Sequence, residues 1–210
     1  MTCLQRRGLM FVLSSPSGAG KTSITRRLLA EDDRLSASIS MTTRHRRPGE
    51  VSGQDYYFVM PEEFIRMRDN NLFLEHAKVF DYYYGTPKEP VEKNLSKGQD
   101  IIFDIDWQGA QSLTNSARAD VVKVFILPPS WEELERRLRA RNQDSENVVL
   151  KRMSQASNEM SHWAEYDYVI VNHDLEESIR QARAILQGER LRRERQVGLA
   201  KFVTTLRTRS

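Results

Sequence analysis

The segment SSPSGAGKTS, residues 14–23, constrains this chain more than any other because of what stands on either side of it. The apolar run LMFVLS ends at Ser14, and the helical pattern KTSITRRLLA begins at Lys21. A strand, a glycine-rich turn and a helix start, in that order, gather several backbone N–H groups and the positive end of a helix dipole around one anion. Gly18 and Gly20 allow backbone conformations that a Cβ would obstruct. Lys21 can reach the β and γ phosphates of a nucleotide, and the Thr22 hydroxyl is placed to ligate Mg²⁺. The general pattern GxxxxGK[ST] has glycine where this chain has Ser15, but the Gly-Lys-Thr end is intact.

Five short apolar runs rich in β-branched or aromatic residues read as strands of a buried parallel sheet: Leu9 to Ser14, Ala37 to Met41, Ile101 to Ile105, Val121 to Leu127 and Tyr168 to Val171. Helical patterns follow them, so right-handed βαβ crossovers and a layered α/β fold are expected. Between the second and third runs, Asp55 to Val59 and Leu72 to Phe80 predict short strands around a helix starting at Pro61, an inserted α+β subdomain over 42–87. The stretch from Arg136 to Ser157 is charged around every helical turn, so it is expected to bury no broad face and to form a mobile helical lid. A long amphipathic helix is expected from Asp174 to about Arg195. One domain results: core 8–41, 88–135 and 158–190, insertion 42–87, lid 136–157 and a basic tail 191–210.

Composition narrows the function. Hydrophobic residues make up 39% of the 210, enough for a core, and the longest apolar runs fall far short of a membrane span. MTCLQRRG at the N-terminus has no signal-peptide pattern, so a cytoplasmic location and no membrane partner are expected. One cysteine excludes an internal disulfide, and four scattered histidines lack metal-binding spacing, so a protein-ligated metal site is not expected. The net charge of +3 is unevenly spread: residues 188–210 hold seven basic and two acidic side chains, leaving the body slightly acidic. No nucleic-acid partner is expected; any phosphate must meet a few placed groups.

Three further clusters supply such groups. IIFDID at 101–106 ends in Asp104 and Asp106, read as sharing one side of a strand beside the phosphate loop, where they can accept from Mg²⁺-bound water or from a base. SMTTRHRRPGE at 40–50 carries Arg44, Arg46 and Arg47, whose planar forks match phosphate oxygens. Tyrosines in QDYYFV and DYYYGT can donate phenol protons to the same phosphate.

Taken in order, SSPSGAGKTS, S-x-TTR-x-x-RPGE-x-x-G-x-x-YYFV at 40–59, FLEHAKVFDYYYGT at 73–86, FDIDWQGAQ at 103–111, FILPPS at 125–130, LRARNQDS at 138–145 and EMSHWAEYDYVIVN at 159–172 resemble the bacterial guanylate kinases. The resemblance implies a P-loop kinase fold, with a parallel five-stranded core sheet, an inserted GMP-binding subdomain and a helical lid. It implies Mg²⁺-dependent transfer of the ATP γ-phosphoryl group to GMP or dGMP, serving purine nucleotide metabolism and GMP recycling. On that pattern Ser15, Pro16, Ser17, Gly18, Ala19, Gly20, Lys21, Thr22 and Ser23 receive ATP, with Asn172 beside the adenine. Arg44, Arg47, Tyr56 and Tyr84 hold the GMP phosphate; Ser40, Glu75, Thr86 and Asp106 surround the guanine. Lys21 and Arg44 join Arg137, Arg141 and Arg152 of the lid in neutralising the transferred phosphoryl group, and Thr22 and, through water, Asp104 serve Mg²⁺. Asp81 and Tyr82 depart from the family's usual Gly-Asn, and His173 stands where an acid is common. A non-catalytic guanylate-kinase-like binding module is the alternative, and a homo-oligomer is left open.

Overall fold

The computed structural model describes residues 5–79, 81–140 and 146–208. Its centre is a five-stranded parallel sheet in the order β2-β7-β1-β8-β9, formed by β1 (Met10–Ser14), β2 (Leu35–Ala37), β7 (Asp100–Asp104), β8 (Val121–Leu127) and β9 (Tyr168–Val171). β1 occupies the middle, so the loop that leaves its carboxyl end emerges where ligands of open α/β sheets bind.

Strand period decides the two faces. Leu9, Phe11 and Leu13 pack with Ile24 and Leu28 of α1 (Lys21–Glu31) and with Ile179, Ala182 and Leu186 of α7 (Leu175–Arg190). Met10 and Val12 face the other way, onto Val91 and Leu95 of α3 (Lys88–Ser96) and Ala110 and Leu113 of α4 (Trp107–Ala117). Burial on both faces explains why these strands read as continuous apolar runs.

The expected strand from Ala37 to Met41 is divided. β2 ends at Ala37 in the main sheet, and β3 (Met41–Thr42) belongs to a second sheet ordered β4-β3-β6-β5. Between them Ser38 N–H still donates to Ile102 O at 2.9 Å, whereas Ser40 O already accepts from Tyr57 N–H at 2.9 Å, so the backbone changes sheets across three residues. In the second sheet β4 (Tyr57–Phe58) runs parallel to β3, while β5 (Phe73–Val79) and β6 (Tyr82–Pro87) form an antiparallel pair, with β6 also antiparallel to β3. α2 (Pro61–Asp69) packs Phe64 on Phe73 and Tyr83, with stacked ring centroids 4.5 and 5.4 Å apart.

The lid stretch corrects its expectation. α5 (Trp131–Ala140) and α6 (Glu146–Ser161) bury Leu134, Leu138, Val149, Met153 and Ala156 in a core of their own. The spacing of four between 134 and 138 and between 149 and 153 makes a narrow apolar stripe. Dense charge hid it, and much of that charge is paired within the helices, as in Glu133 with Arg136 and Arg137 and Glu135 with Arg139.

The basic tail holds a second surprise. α7 ends at Arg190, followed by a 3₁₀ turn (Arg193–Arg195) and α8 (Leu199–Arg207). Arg190 and Arg195 are buried: Arg190 binds Asp100 and Asp32, and Arg195 binds Glu189. Part of the tail's charge therefore belongs to the core. Among the described residues no helix is long and apolar enough to cross a membrane.

Candidate active site

The phosphate loop is shaped from beneath and from the side. Gly18 and Gly20 have φ of 96° and 106°, conformations that favour glycine, and both are also sterically enclosed. A Cβ on Gly18 would lie 3.0 Å from Leu134 Cδ1, so α5 packs directly on the loop. Asn172, 3% exposed at the end of β9, donates from Nδ2 to Ala19 O at 2.7 Å and accepts at Oδ1 from Ser178 Oγ at 3.0 Å. Its amide thus helps to hold the loop, with one N–H and one lone pair of the amide left over.

A cavity of about 260 Å³ is lined by Ser15, Pro16, Ser17, Gly18, Gly20, Lys21 and Thr22, together with Asp104, Asp106 and Glu159. Lys21 Nζ lies 2.6 Å from Asp104 Oδ1 and donates to Ile105 O at 3.3 Å; Thr22 Oγ1 lies 3.5 Å from Asp104 Oδ2. Ser23 continues α1 on an exposed position. The reading of Asp104 and Asp106 as two positions of one strand is corrected: β7 ends at Asp104, and Asp106 is the N-cap of α4, accepting from Gly109 N–H at 2.9 Å. Capping the helix turns Asp106 toward the same cavity by another route.

On the second sheet, Glu75 of β5 is 8% exposed and accepts from Thr86 Oγ1 at 2.7 Å; Ser40 Oγ lies 3.3 Å from Thr86 Oγ1. Burial pushes the Glu75 carboxyl above the usual carboxylate range, and the charge of Asp106 adds to the rise against the Thr86 hydrogen bond. Glu75 and Thr86 are paired across β5 and β6, which is why two residues eleven apart in sequence meet. Thr86 has one proton and gives it to Glu75, so in the Ser40–Thr86 hydrogen bond Ser40 is the donor.

Beside this pocket Arg44 forms a bidentate pair with Glu50, at 2.7 and 3.0 Å, and its guanidinium lies 5.5 Å from the Tyr56 ring centroid. The Tyr56 and Tyr84 rings meet edge-on at 6.0 Å. Glu50 also accepts from the Arg47 N–H at 2.8 Å, and the Arg44 guanidinium holds the Glu50 carboxyl below its usual range. The arginine loop is therefore preorganised around one carboxylate. Burial raises the Tyr56 phenol pKa, with Tyr84 adding to it, so the phenol remains a donor at neutral pH.

Of the lid residues, Arg137 on α5 binds Glu133 at 2.7 Å and donates from Nη2 to the backbone O of Asn172 at 3.0 Å, reaching the carboxyl end of β9. Arg152 is half-buried on α6. Arg141 lies outside the described residues. Sequence reasoning missed Glu50, Glu159 and Ser178; the first two stand inside quoted motifs, RPGE and EMSH, where the acids had been given no partner.

Comparison with known proteins agrees with this geometry. The guanylate kinase family model matches residues 7–189. A guanylate kinase of Paramagnetospirillum magneticum is 61% identical over 97% of this chain and 95% of its own length, and one of Zymomonas mobilis is 58% identical over 97% and 94%. The crystal structure of guanylate kinase from Anaplasma phagocytophilum superposes with a TM-score of 0.75 at 42% identity, covering 96% of both chains. The chain belongs to the guanylate kinase family and has its P-loop kinase fold.

Proposed function

We propose that the chain transfers the γ-phosphoryl group of ATP to GMP or dGMP, giving ADP and GDP or dGDP. The observation that carries the reading is the buried Glu75 carboxylate on the second sheet, held by the Thr86 hydroxyl, in a chain whose phosphate loop lines a cavity with Asp106. A carboxylate of that kind matches the adjacent N1–H and N2 amino donors of guanine, and the Ser40 hydroxyl, turning from Thr86, supplies a donor for its O6 acceptor. With Lys21 and Thr22 in a complete phosphate loop, the chain is a nucleotide kinase and not a non-catalytic binding module.

In this scheme the backbone N–H groups of residues 17–22 and the start of α1 receive the donor phosphates, and Lys21 moves from Asp104 to the transferring group. Arg44 and Arg47 fix the acceptor phosphate with the phenols of Tyr56 and Tyr84, and Arg137, Arg141 and Arg152 approach from the lid. These groups stabilise charge on the peripheral oxygens without a covalent enzyme intermediate. Thr22 Oγ1 and the Asp104 carboxylate, facing each other across the cavity, fit Mg²⁺ held mainly by nucleotide phosphate oxygens; among the described residues no group of three or more His, Cys, Asp or Glu could hold a metal alone. Bound Mg²⁺ would neutralise charge on the β and γ phosphates. The inserted sheet is the acceptor unit, α5 and α6 the lid, and the remainder the donor core.

Release of ADP from ATP with and without Mg²⁺, across GMP, dGMP, AMP, CMP and UMP, tests the proposal. Turnover confined to the two guanine nucleotides and dependent on the cation is expected; equal turnover with AMP would overturn it.

A further inference from the structure

Glu159 lies in the last turn of α6, yet it lines the phosphate-loop cavity with Lys21, Asp104 and Asp106. Three carboxylates thus share a cavity with one lysine, and Asp104 is the one that pairs with it. An anion site with such an excess of acids is arranged unusually, since each carboxylate opposes the phosphates the loop would receive. Glu159 is not an idle bystander: it lines one cavity with Ser17 and Lys21, and burial there pushes its carboxyl above the usual range against the pull of both. Ser17 belongs to the loop, and its N–H is one of the donors a phosphate oxygen would use.

The position within the loop matters. Asp106, Glu159, Ser17 and Lys21 line one cavity, and the charge of Asp106 also reaches the acceptor carboxylate Glu75. Glu159 thus shares the cavity with Lys21, the side chain assigned above to the transferring phosphoryl group. An ADP molecule, lacking that group, leaves its place empty. The helix bearing Glu159 also carries Arg152 and shares a core with α5, whose Leu134 covers Gly18.

Building on the proposed function, we infer that Glu159 occupies the place of the terminal donor phosphoryl in the ligand-free protein, and that a nucleoside triphosphate displaces it whereas a diphosphate does not. Glu159 is then a positioning and specificity residue: it docks α6 on the empty loop and sets the balance between ATP and ADP affinity. Its displacement by the γ-phosphoryl frees α6 to move with its arginine.

The test is equilibrium titration of the full chain and its Glu159→Gln variant with ADP and with a non-hydrolysable ATP analogue, both with Mg²⁺ and without GMP. Gln keeps the size but removes the charge, so the triphosphate analogue should bind about five- to tenfold tighter to the variant, while ADP changes less than about twofold. Unchanged or weaker analogue binding, or an equal shift for both nucleotides, would overturn the inference; a merely structural residue would shift both together. Should Glu159→Gln fail to fold, Glu159→Ala carries the same comparison. A parent protein binding neither nucleotide would overturn the proposed function itself, whereas a parent binding both with no split in the variant overturns only the role of Glu159.

Discussion

Asn172 fills the space that a side chain on Gly20 would need: a β-carbon there would lie 2.3 Å from Asn172 Nδ2. The same nitrogen donates to Ala19 O, and Ser178 of α7 donates to the other end of the amide. The last core strand, the helix after it and the phosphate loop are thus joined by one side chain. The loop's form is set by Asn172, 153 positions from Ala19, as much as by its own glycines.

Asn172→Ala should strand the buried Ala19 carbonyl, while the Ser178 hydroxyl keeps its bond to Asp174 O. A loss of roughly 1–3 kcal/mol is expected in urea unfolding. The KM for ATP should rise several-fold while the KM for GMP barely changes. Asn172→Asp should be worse than alanine at neutral pH, because it sets a carboxylate against a carbonyl; an aspartate variant as stable as the parent would show that the tether does not matter.

Lys21→Ala should fold normally, because its ion pair with Asp104 is partly exposed and such pairs contribute at most about 1 kcal/mol. Turnover should fall by about a hundredfold or more, the usual effect of removing a preorganised group from developing charge. Near-parental turnover with intact circular dichroism would place the donor elsewhere.

The phosphate loop was legible because its information is local: strand, glycines, lysine and helix follow one another within 22 residues, 10 to 31. Four of the five parallel strands were legible for the same reason, each being an apolar run bounded by polar residues, whereas the run at 37–41 spans the change from one sheet to the other. The lid core was not, since Leu134, Leu138, Val149 and Met153 are thinly spaced among charges and find each other only across two helices. Glu159 and Arg190 find their surroundings across the fold, Glu159 in the phosphate-loop cavity and Arg190 at Asp100, and no periodicity reports such contacts. Asp106 showed its chemistry but not its geometry, because a helix cap and a strand end are both natural places for an aspartate.

Arg190→Ala addresses the buried arginine that ends α7. Asp100 is fully buried and accepts from Arg190, from both ends of the Arg6 fork and from Leu9 N–H. Removing Arg190 leaves that charge under-compensated, and a loss of about 3 kcal/mol is expected. Burial alone would raise the Asp32 carboxyl, but the Arg190 hydrogen bond, with the Arg34 N–H, holds it below its usual range. A depressed carboxylate contributes stability above its unfolded pKa of about 3.9 and loses it as pH falls through the folded value. The gap between parent and variant should therefore narrow in urea titrations carried below about pH 4; a gap constant from pH 7 to pH 3 would remove Asp32 from the account.

Glu75→Gln separates function from stability in one residue. Guanine offers two adjacent donors to a carboxylate, and the amide replaces one acceptor with a donor facing them, so kcat/KM for GMP should fall at least about tenfold with little change in the KM for ATP. Stability should move the other way. Glu75 is raised mainly by burial, with the Asp106 charge adding to it, so its favourable contribution is present below its unfolded pKa and is lost as pH rises through the folded value. At pH 7.5 the parent bears the cost of a desolvated charge that the glutamine variant, still able to accept from Thr86, does not. The variant should melt higher than the parent at pH 7.5, and the advantage should shrink steadily toward pH 4. A variant that melts lower at every pH would show that Glu75 contributes to folding through its hydrogen bond more than burial takes away, and one as active and GMP-selective as the parent would place the base elsewhere.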